Sequence, residues 1–343
     1  MTDTNRPLAL VVMSKDSFDL QFDDERLRRL GELAELVDPV WTDSLDTVSG
    51  STLTDQQLST VEVLITSWGT PRLTPELLAR LPRLRAVFHC AGTVRQLVSE
   101  QFWQLGITLT TAAETNAIPV AEFTFANIVL AGKKAQFLAS DARTFRADWS
   151  YLQGRGGLSN FERVVGVVGF SRVGRRVVNL LQTLDAATCL VSDPYANELD
   201  VRRAGGKMVA LRELLPQVDT LTLHAPALPE TAQMIGAAEL ALLPDFATVI
   251  NTARGSLIDT AALERECVSG RLNAVLDVTD PEPLPASSRL YDLPNVIITP
   301  HVAGSLGSET LRMTDSALDE LERFVAGRPQ IASVSIEAME VSA

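Results

Sequence analysis

Short apolar runs alternate with segments of helical period along almost the whole chain. The runs cover residues 8–13, 61–66, 84–88 and 107–110, and resume at 164–168, 188–191, 221–224, 248–251, 274–277 and 296–298. Helical patterns fit residues 23–36, 173–184, 211–215, 237–242 and 260–269. Thr74-Pro75-Glu76 reads as a further helix start, with threonine as cap and proline in the first turn. Parallel strands need a crossover between them, and a helix is the usual one. The alternation therefore predicts an α/β fold, with parallel sheets covered by helices on both faces. At 343 residues the chain exceeds what one core usually supports, and its two series of strands predict two sheets.

The break between the series falls near residues 111–118, where a strand ends and a long apolar helix begins. That helix is expected from Pro119 to about Ser140 and carries Phe123, Phe125, Ile128, Val129, Leu130, Phe137 and Leu138. Its apolar residues cover more than one face, which leaves two readings: a core helix, or one that also packs on a partner subunit. Residues 141–160, with Gly154, Gly156 and Gly157, are expected as a long loop. Residues 308–325 read as a helix, and if it returns to the first sheet the first domain is discontinuous. There is no repeat of 20–50-residue period and no low-complexity tract.

With 46% hydrophobic and 21% charged residues the chain reads as an ordinary soluble globular protein. A net charge of -13 argues against binding the phosphate backbone of nucleic acid. No stretch approaches the ~18 consecutive apolar residues of a membrane helix. The apolar run at residues 8–13 is short for a signal segment and is followed by no small-residue cleavage site. Cys90, Cys189 and Cys267 are too few and too widely spaced for a disulfide framework or a zinc site, and fit a reducing cytoplasm. None of the three histidines makes a pair at metal-ligand spacing with another ligand, so no metal site is expected.

The run at 164–168 leads into Gly169-Phe170-Ser171-Arg172-Val173-Gly174 and then a helical pattern. Asp193 closes the next run, 19 residues past Gly174. This matches the dinucleotide fingerprint, in which pyrophosphate sits on the helix N-terminus and an acid takes the ribose hydroxyls. Ser171 replaces the middle glycine. Its Cβ crowds the phosphate, while its hydroxyl offers a hydrogen bond. A carboxylate at Asp193 repels a 2′-phosphate, and no arginine follows until Arg202, so NAD is favoured over NADP. The alternative for Asp193 is a turn residue before Pro194.

Three motifs near the end of the chain carry a possible reaction. Arg254 stands in Asn251-Thr252-Ala253-Arg254-Gly255, Glu282 in Pro281-Glu282-Pro283, and His301 in Thr299-Pro300-His301. Reduction of a 2-keto acid needs a guanidinium to hold the carboxylate, an imidazole to protonate the ketone oxygen, and a carboxylate to hold and charge that imidazole. Arg254 follows a strand, and ligands of open parallel sheets bind beyond the carboxyl ends of strands. Asp280 is an acidic rival to Glu282. His224 reads as a lining residue of the cofactor pocket. His89 ends a strand, and either touches substrate or serves the fold.

These residues resemble the D-isomer-specific 2-hydroxyacid dehydrogenase family. The landmarks, in order, are the nucleotide turn, Leu223-His224-Ala225-Pro226 with Thr231, Asn251-Thr252-Ala253-Arg254-Gly255, Asp277-Val278, Glu282-Pro283, and Thr299-Pro300-His301-Val302-Ala303-Gly304. The match runs from about Ala121 to Gly304, and more loosely beyond. The resemblance implies two open parallel-sheet domains, a Rossmann NAD-binding domain (residues 116–307) inserted in a flavodoxin-like substrate domain (1–115 and 308–343), with the site in the cleft between them. It implies Arg254 as carboxylate anchor, His301 as acid/base and Glu282 as its partner. Around NAD it implies Gly169, Ser171, Arg172, Val173, Gly174, Asp193, Pro226, Thr231, Thr252, Ala253, Asp277, His301 and Gly304, with Asp277 near the nicotinamide carboxamide. Ala91 and Gly92, in the loop His89-Cys90-Ala91-Gly92-Thr93-Val94-Arg95, would complete carboxylate binding, although the acid usual in that loop is missing here. The resemblance also implies a homodimer. Two other classes share the scaffold: a formate or phosphite dehydrogenase, and an NAD-sensing corepressor without turnover.

Overall fold

A computed structural model describes residues 6–46, 53–336 and 339. The chain divides into two compact units. One gathers the residues up to Asn116 and those from Ser305 onward, and the other is Ala117–Gly304.

The first unit holds five parallel strands, β1 (Leu8–Val12), β2 (Glu35–Thr42), β3 (Val63–Thr66), β4 (Ala86–His89) and β5 (Thr108–Thr111), in the order β2-β1-β3-β4-β5. Side chains alternate across a strand. Leu10, Val12, Leu64, Val87 and Leu109 therefore pack on one face, and Ala9, Val11, Val63, Ile65, Ala86 and Phe88 on the other. The second face is closed by a helix from the far end of the chain, Glu309–Val325, through Ala317, Leu318 and Leu321. Phe324 meets Phe88 edge-on at 5.7 Å. Burial of each leucine is worth about 1.5–3 kcal/mol. The flanking ion pairs, Arg26 to Asp315 and Arg29 to Asp319 at 2.5 Å each, have solvent-exposed carboxylates and add little.

The second unit holds seven parallel strands: β6 (Val164–Val168), β7 (Thr188–Ser192), β8 (Lys207–Met208), β9 (Thr220–Leu223), β10 (Thr248–Asn251), β11 (Asn273–Leu276) and β12 (Val296–Ile298). Their order is β12-β11-β10-β9-β6-β7-β8. Successive strands run outward from β6 through β7 to β8, and from β9 through β12 on the other side. The order reverses between β6 and β9, where such sheets open a crevice for a ligand. Val165, Val167, Val191 and Ile250 fill one face, and Val168, Leu190, Leu221, Leu223 and Val249 the other.

The structure corrects several expectations. Strand β2 is not among the expected strands, because an edge strand carrying Glu35, Asp38 and Pro39 shows no clean apolar run. The helix expected to reach residue 36 therefore stops at Leu33. The long helix starts earlier than Pro119, at Ala113, and ends at Gly132. A second helix, Ala135–Phe145, follows the left-handed Lys134 (φ 50°). Lys134 is buried there, and its ammonium donates to Phe246 O at 2.6 Å and Thr248 Oγ1 at 2.9 Å, bonds that the long apolar pattern concealed. The expected loop at 141–160 is partly ordered, by that helix and by a 3₁₀ helix at Ser150–Arg155. Arg155 ties it back to buried Asp141, Nε to Oδ2 at 2.7 Å. Among the described residues no helix is long and apolar enough to cross a membrane.

Two histidines serve the core. His89 is 5% exposed and pairs through Nδ1 with Thr66 Oγ1 at 2.9 Å. His224 is 4% exposed and pairs through Nε2 with Thr222 Oγ1 at 2.9 Å, while its Nδ1 is buried without a partner. Burial pushes His89 down to about 4, against a weaker opposing pull from the Thr93 backbone, and pushes His224 down to about 3. The unfolded residues take up a proton near pH 6.5. Below that value the unfolded chain holds more protons than the folded one, so stability falls with pH by about 1.4 kcal/mol per unit per histidine. Urea midpoints measured from neutral pH down to about 4.5 should therefore drop, and His224→Gln should flatten the slope. A midpoint constant over that range would mean that neither ring is held neutral.

Candidate active site

The expected cofactor and catalytic residues of the second unit stand beyond the carboxyl ends of its parallel strands. After β6 the chain turns through Gly169 (φ +94°) into the helix Arg172–Leu181. A Cβ on Gly169 would lie 2.6 Å from Ala225 N, and one on Gly174 would lie 2.0 Å from Gly169 O. Only glycine at both places lets the turn close under the helix, which leaves its N-terminal amides and dipole facing outward. Ser171 is the N-cap: its Oγ accepts from Gly174 N at 3.4 Å and keeps its own proton to donate. Arg172 and Val173 form the first turn. This cradle fits a pyrophosphate.

Asp193 follows β7. Its Oδ2 accepts from Phe170 N at 2.7 Å and its Oδ1 from Tyr195 N at 2.8 Å. The carboxylate thus joins the glycine turn to the end of β7, and each oxygen keeps acceptor capacity for a ribose hydroxyl. Both readings offered by the sequence, turn residue and ribose acceptor, are compatible with this geometry. Beyond β9, Thr231 pins its loop by donating to Pro226 O at 2.6 Å and accepting from Leu228 N at 2.9 Å. Thr252, after β10, meets Thr124 Oγ1 at 2.7 Å, and Thr124 also donates to Val120 O. Thr124 went unremarked in the sequence because it is one polar residue in a long apolar helix.

Arg254 sits in a turn braced by Asn251, whose Oδ1 accepts from Ala253 N and whose Nδ2 donates to Arg254 O. Arg254 Nη1 donates to Ala253 O at 2.6 Å. Burial lowers the guanidinium from its ordinary value, while the Glu282 charge pulls the other way. A partly desolvated cation attracts an anion more strongly than one in open water, and a guanidinium stays charged at neutral pH. His301 Nδ1 lies 2.7 Å from Glu282 Oε1, with both side chains about half exposed. The carboxylate meeting the ring is therefore Glu282.

Asp277, after β11, is 2% exposed. Its Oδ1 accepts from Thr299 Oγ1 at 2.6 Å and Val302 N at 2.8 Å, and its Oδ2 from Ala303 N at 3.0 Å. Gly304 ends this turn and this unit. Ala91 and Gly92 belong to the first unit, beyond β4, where Thr111 Oγ1 donates to both of their carbonyls. Arg95 of the same loop donates to Met339 O. The described residues contain no group of three or more metal-ligating side chains.

The model of a family described as D-isomer specific 2-hydroxyacid dehydrogenase, NAD binding domain, matches residues 129–303. The chain is 30% identical over 278 residues to glyoxylate reductase of Aeropyrum pernix, covering 79% of this chain and 82% of that one. It is 29% identical to D-3-phosphoglycerate dehydrogenase of Methanocaldococcus jannaschii over 73% of this chain, but spans only 47% of that longer relative. Among solved structures, a phosphoglycerate oxidoreductase from Rhizobium etli superimposes with a TM-score of 0.81 at 25% identity, covering 97% of this chain and 99% of the other.

The Asp193 carboxylate should oppose a 2′-phosphate. Asp193→Ser keeps an acceptor and removes the charge, so NADPH affinity relative to NADH should rise, as read by titrating cofactor fluorescence. Equal affinity of the wild type for both cofactors would remove Asp193 from the ribose site.

Proposed function

Because the chain belongs to the D-isomer-specific 2-hydroxyacid dehydrogenase family of NAD-dependent oxidoreductases, we propose that it interconverts a small 2-keto acid and the D-2-hydroxy acid. The observation that carries this reading is the 2.7 Å contact between His301 Nδ1 and Glu282 at the same strand-end edge as the half-buried cation Arg254. Glyoxylate and phosphorylated three-carbon acids are the substrates that the relatives' names suggest, and small 2-keto acids of that kind are the class proposed here.

Gly169, Ser171, Arg172, Val173 and Gly174 hold the cofactor's pyrophosphate, and Asp193 its ribose. Pro226, Thr231, Thr252, Ala253, Asp277 and Gly304 line the rest of its path. Bound NADH supplies the hydride for reduction. Arg254 grips the substrate carboxylate in a planar fork and so fixes the direction of the neighbouring carbonyl.

Since Nδ1 faces Glu282, the ring's other nitrogen, Nε2, is the one that meets the keto oxygen. Protonated His301 hydrogen-bonds that oxygen through Nε2 and gives up its proton as the alkoxide forms. In oxidation the neutral ring takes the proton back. Glu282 orients the ring through Nδ1. The assembly is a homodimer on this reading, supported by the apolar side chains left exposed on the long helix and in the segment that follows it: Leu130 at 38%, Phe145 at 49%, Trp149 at 72% and Phe161 at 57%. The free, buried cysteines suit a cytoplasmic setting.

An NADH-consumption screen against glyoxylate, hydroxypyruvate, pyruvate, phenylpyruvate and branched 2-keto acids tests the function. Turnover of none of them, with formate or phosphite oxidised instead, would overturn it. His301→Ala should cost about 10²–10⁴-fold in reduction. Glu282→Gln should lower kcat/KM about fivefold in both directions, because a neutral amide holds the ring less firmly through Nδ1 than a carboxylate does. Kinetics unchanged in both directions would leave Glu282 a loop residue. Sedimentation equilibrium should give twice the chain mass, and a monomer would rule out the dimer.

A further inference from the structure

We propose that Asp277 is a positioning residue for His301, holding the turn that aims the imidazole; this rests on the reading of His301 as the acid/base. A carboxylate only 2% exposed needs hydrogen-bond donors to offset its lost hydration. Here the donors come from one short turn. Thr299 Oγ1 and Val302 N reach Oδ1, and Ala303 N reaches Oδ2. His301 N donates to the backbone carbonyl of the same Asp277 at 3.0 Å. Four bonds thus run from residues 299–303 to a single residue.

The turn needs such a hold. His301 has φ +54°, in the left-handed region that side chains other than glycine rarely adopt. Left-handed backbone persists where its surroundings over-determine it. The ring gets little help from packing, because its side chain is 54% exposed, and its one ionic contact, Glu282, is itself 45% exposed. The direction of the His301 Cα–Cβ bond is therefore set by the backbone, and the backbone is set by Asp277. The clamp is in turn fixed to the sheet. Asp277 N donates to Asn251 O at 2.9 Å, and Thr299 N to Leu276 O at 2.9 Å, which joins the ends of β10, β11 and β12. Asn251 is also the brace of the Arg254 turn. One hydrogen-bonded chain therefore relates the proposed carboxylate anchor to the proposed acid.

A contact to the nicotinamide carboxamide, the role implied for Asp277 by resemblance, would change cofactor affinity. Positioning of His301 changes turnover instead. Asp277→Asn places an amide N–H₂ against a backbone N–H, or turns one acceptor away from the turn. With NADH saturating, kcat for keto-acid reduction should fall about 10²-fold, the scale for a misplaced reacting group. In Thr299→Val, which leaves the Asp277 carboxylate in place, the NADH Kd from fluorescence titration should stay near the wild-type value. Thr299→Val deletes one of the four bonds and should lower kcat about fivefold, and Thr299→Ser, which keeps the hydroxyl, should restore it. The threonine pair decides the matter if Asp277→Asn does not fold.

A readout independent of turnover comes from ¹⁵N-histidine NMR. The chain has three histidines, and His301→Ala assigns the resonance. The Nδ1–H signal paired with Glu282 should shift or broaden in Asp277→Asn and in Thr299→Val. If the wild type reduces no 2-keto acid, the functional reading fails while the NMR comparison still tests the clamp. An unchanged His301 signal in both variants overturns the positioning role. So does a weakened NADH Kd with kcat intact at saturation, which would leave Asp277 a cofactor contact alone.

Discussion

Parallel pairing governs what this chain can do. Seven strands running in one direction place seven carboxyl ends on one edge of a sheet, and the loops leaving that edge can meet although they are far apart in sequence. Gly169, Asp193, Pro226, Arg254, Asp277 and His301 each leave a different strand. Both faces of the sheet are apolar and covered by helices, so the polar chemistry is confined to the rim. The reversal of strand order between β6 and β9 then selects the part of the rim where a dinucleotide can lie.

At that rim, electrostatics rests on a few partly desolvated groups. Arg254 is lowered by burial while the charge of Glu282 supports it, and Glu282 also meets His301. One carboxylate therefore bears on both the cation and the imidazole, so a single substitution there touches both groups. Nearby Asp277 differs in kind. It is enclosed, and its acceptors are spent on backbone amides and one hydroxyl. Of two acids on neighbouring loops, one thus meets the ring and the other holds the turn that carries it.

The sheets were legible in the sequence because central parallel strands are continuous apolar runs, and residues 164–168 and 248–251 are of that kind. The candidate site could be proposed from the sequence because its motifs sit where those runs end. Edge strand β2 was not, since Glu35, Asp38 and Pro39 interrupt any run. The break at Lys134 was not, because what holds it is a pair of acceptors more than a hundred residues away, Phe246 O and Thr248 Oγ1. Burial of Asp277 and its three donors was equally hidden, for a sequence shows that an acid follows a strand but not which amides will turn towards it. His89 and His224 were ambiguous for the same reason, and it is their threonine partners and burial that mark them as part of the core.

The helix Glu309–Val325 covers a sheet face formed by strands that end near Thr111, and Arg26 reaches Asp315 across 289 positions of sequence. A ribosome releases the first five strands long before that helix exists. Until then Ala9, Val11, Ile65 and Phe88 have only part of their cover on that side, from Phe22, Leu30 and Ala34. All of Ala117–Gly304 is synthesised in between, and it contains its own complete core. Vectorial synthesis therefore lets the inserted unit finish before the one that encloses it in sequence, and leaves the earliest-made sheet as the nascent surface most open to chaperones and to self-association.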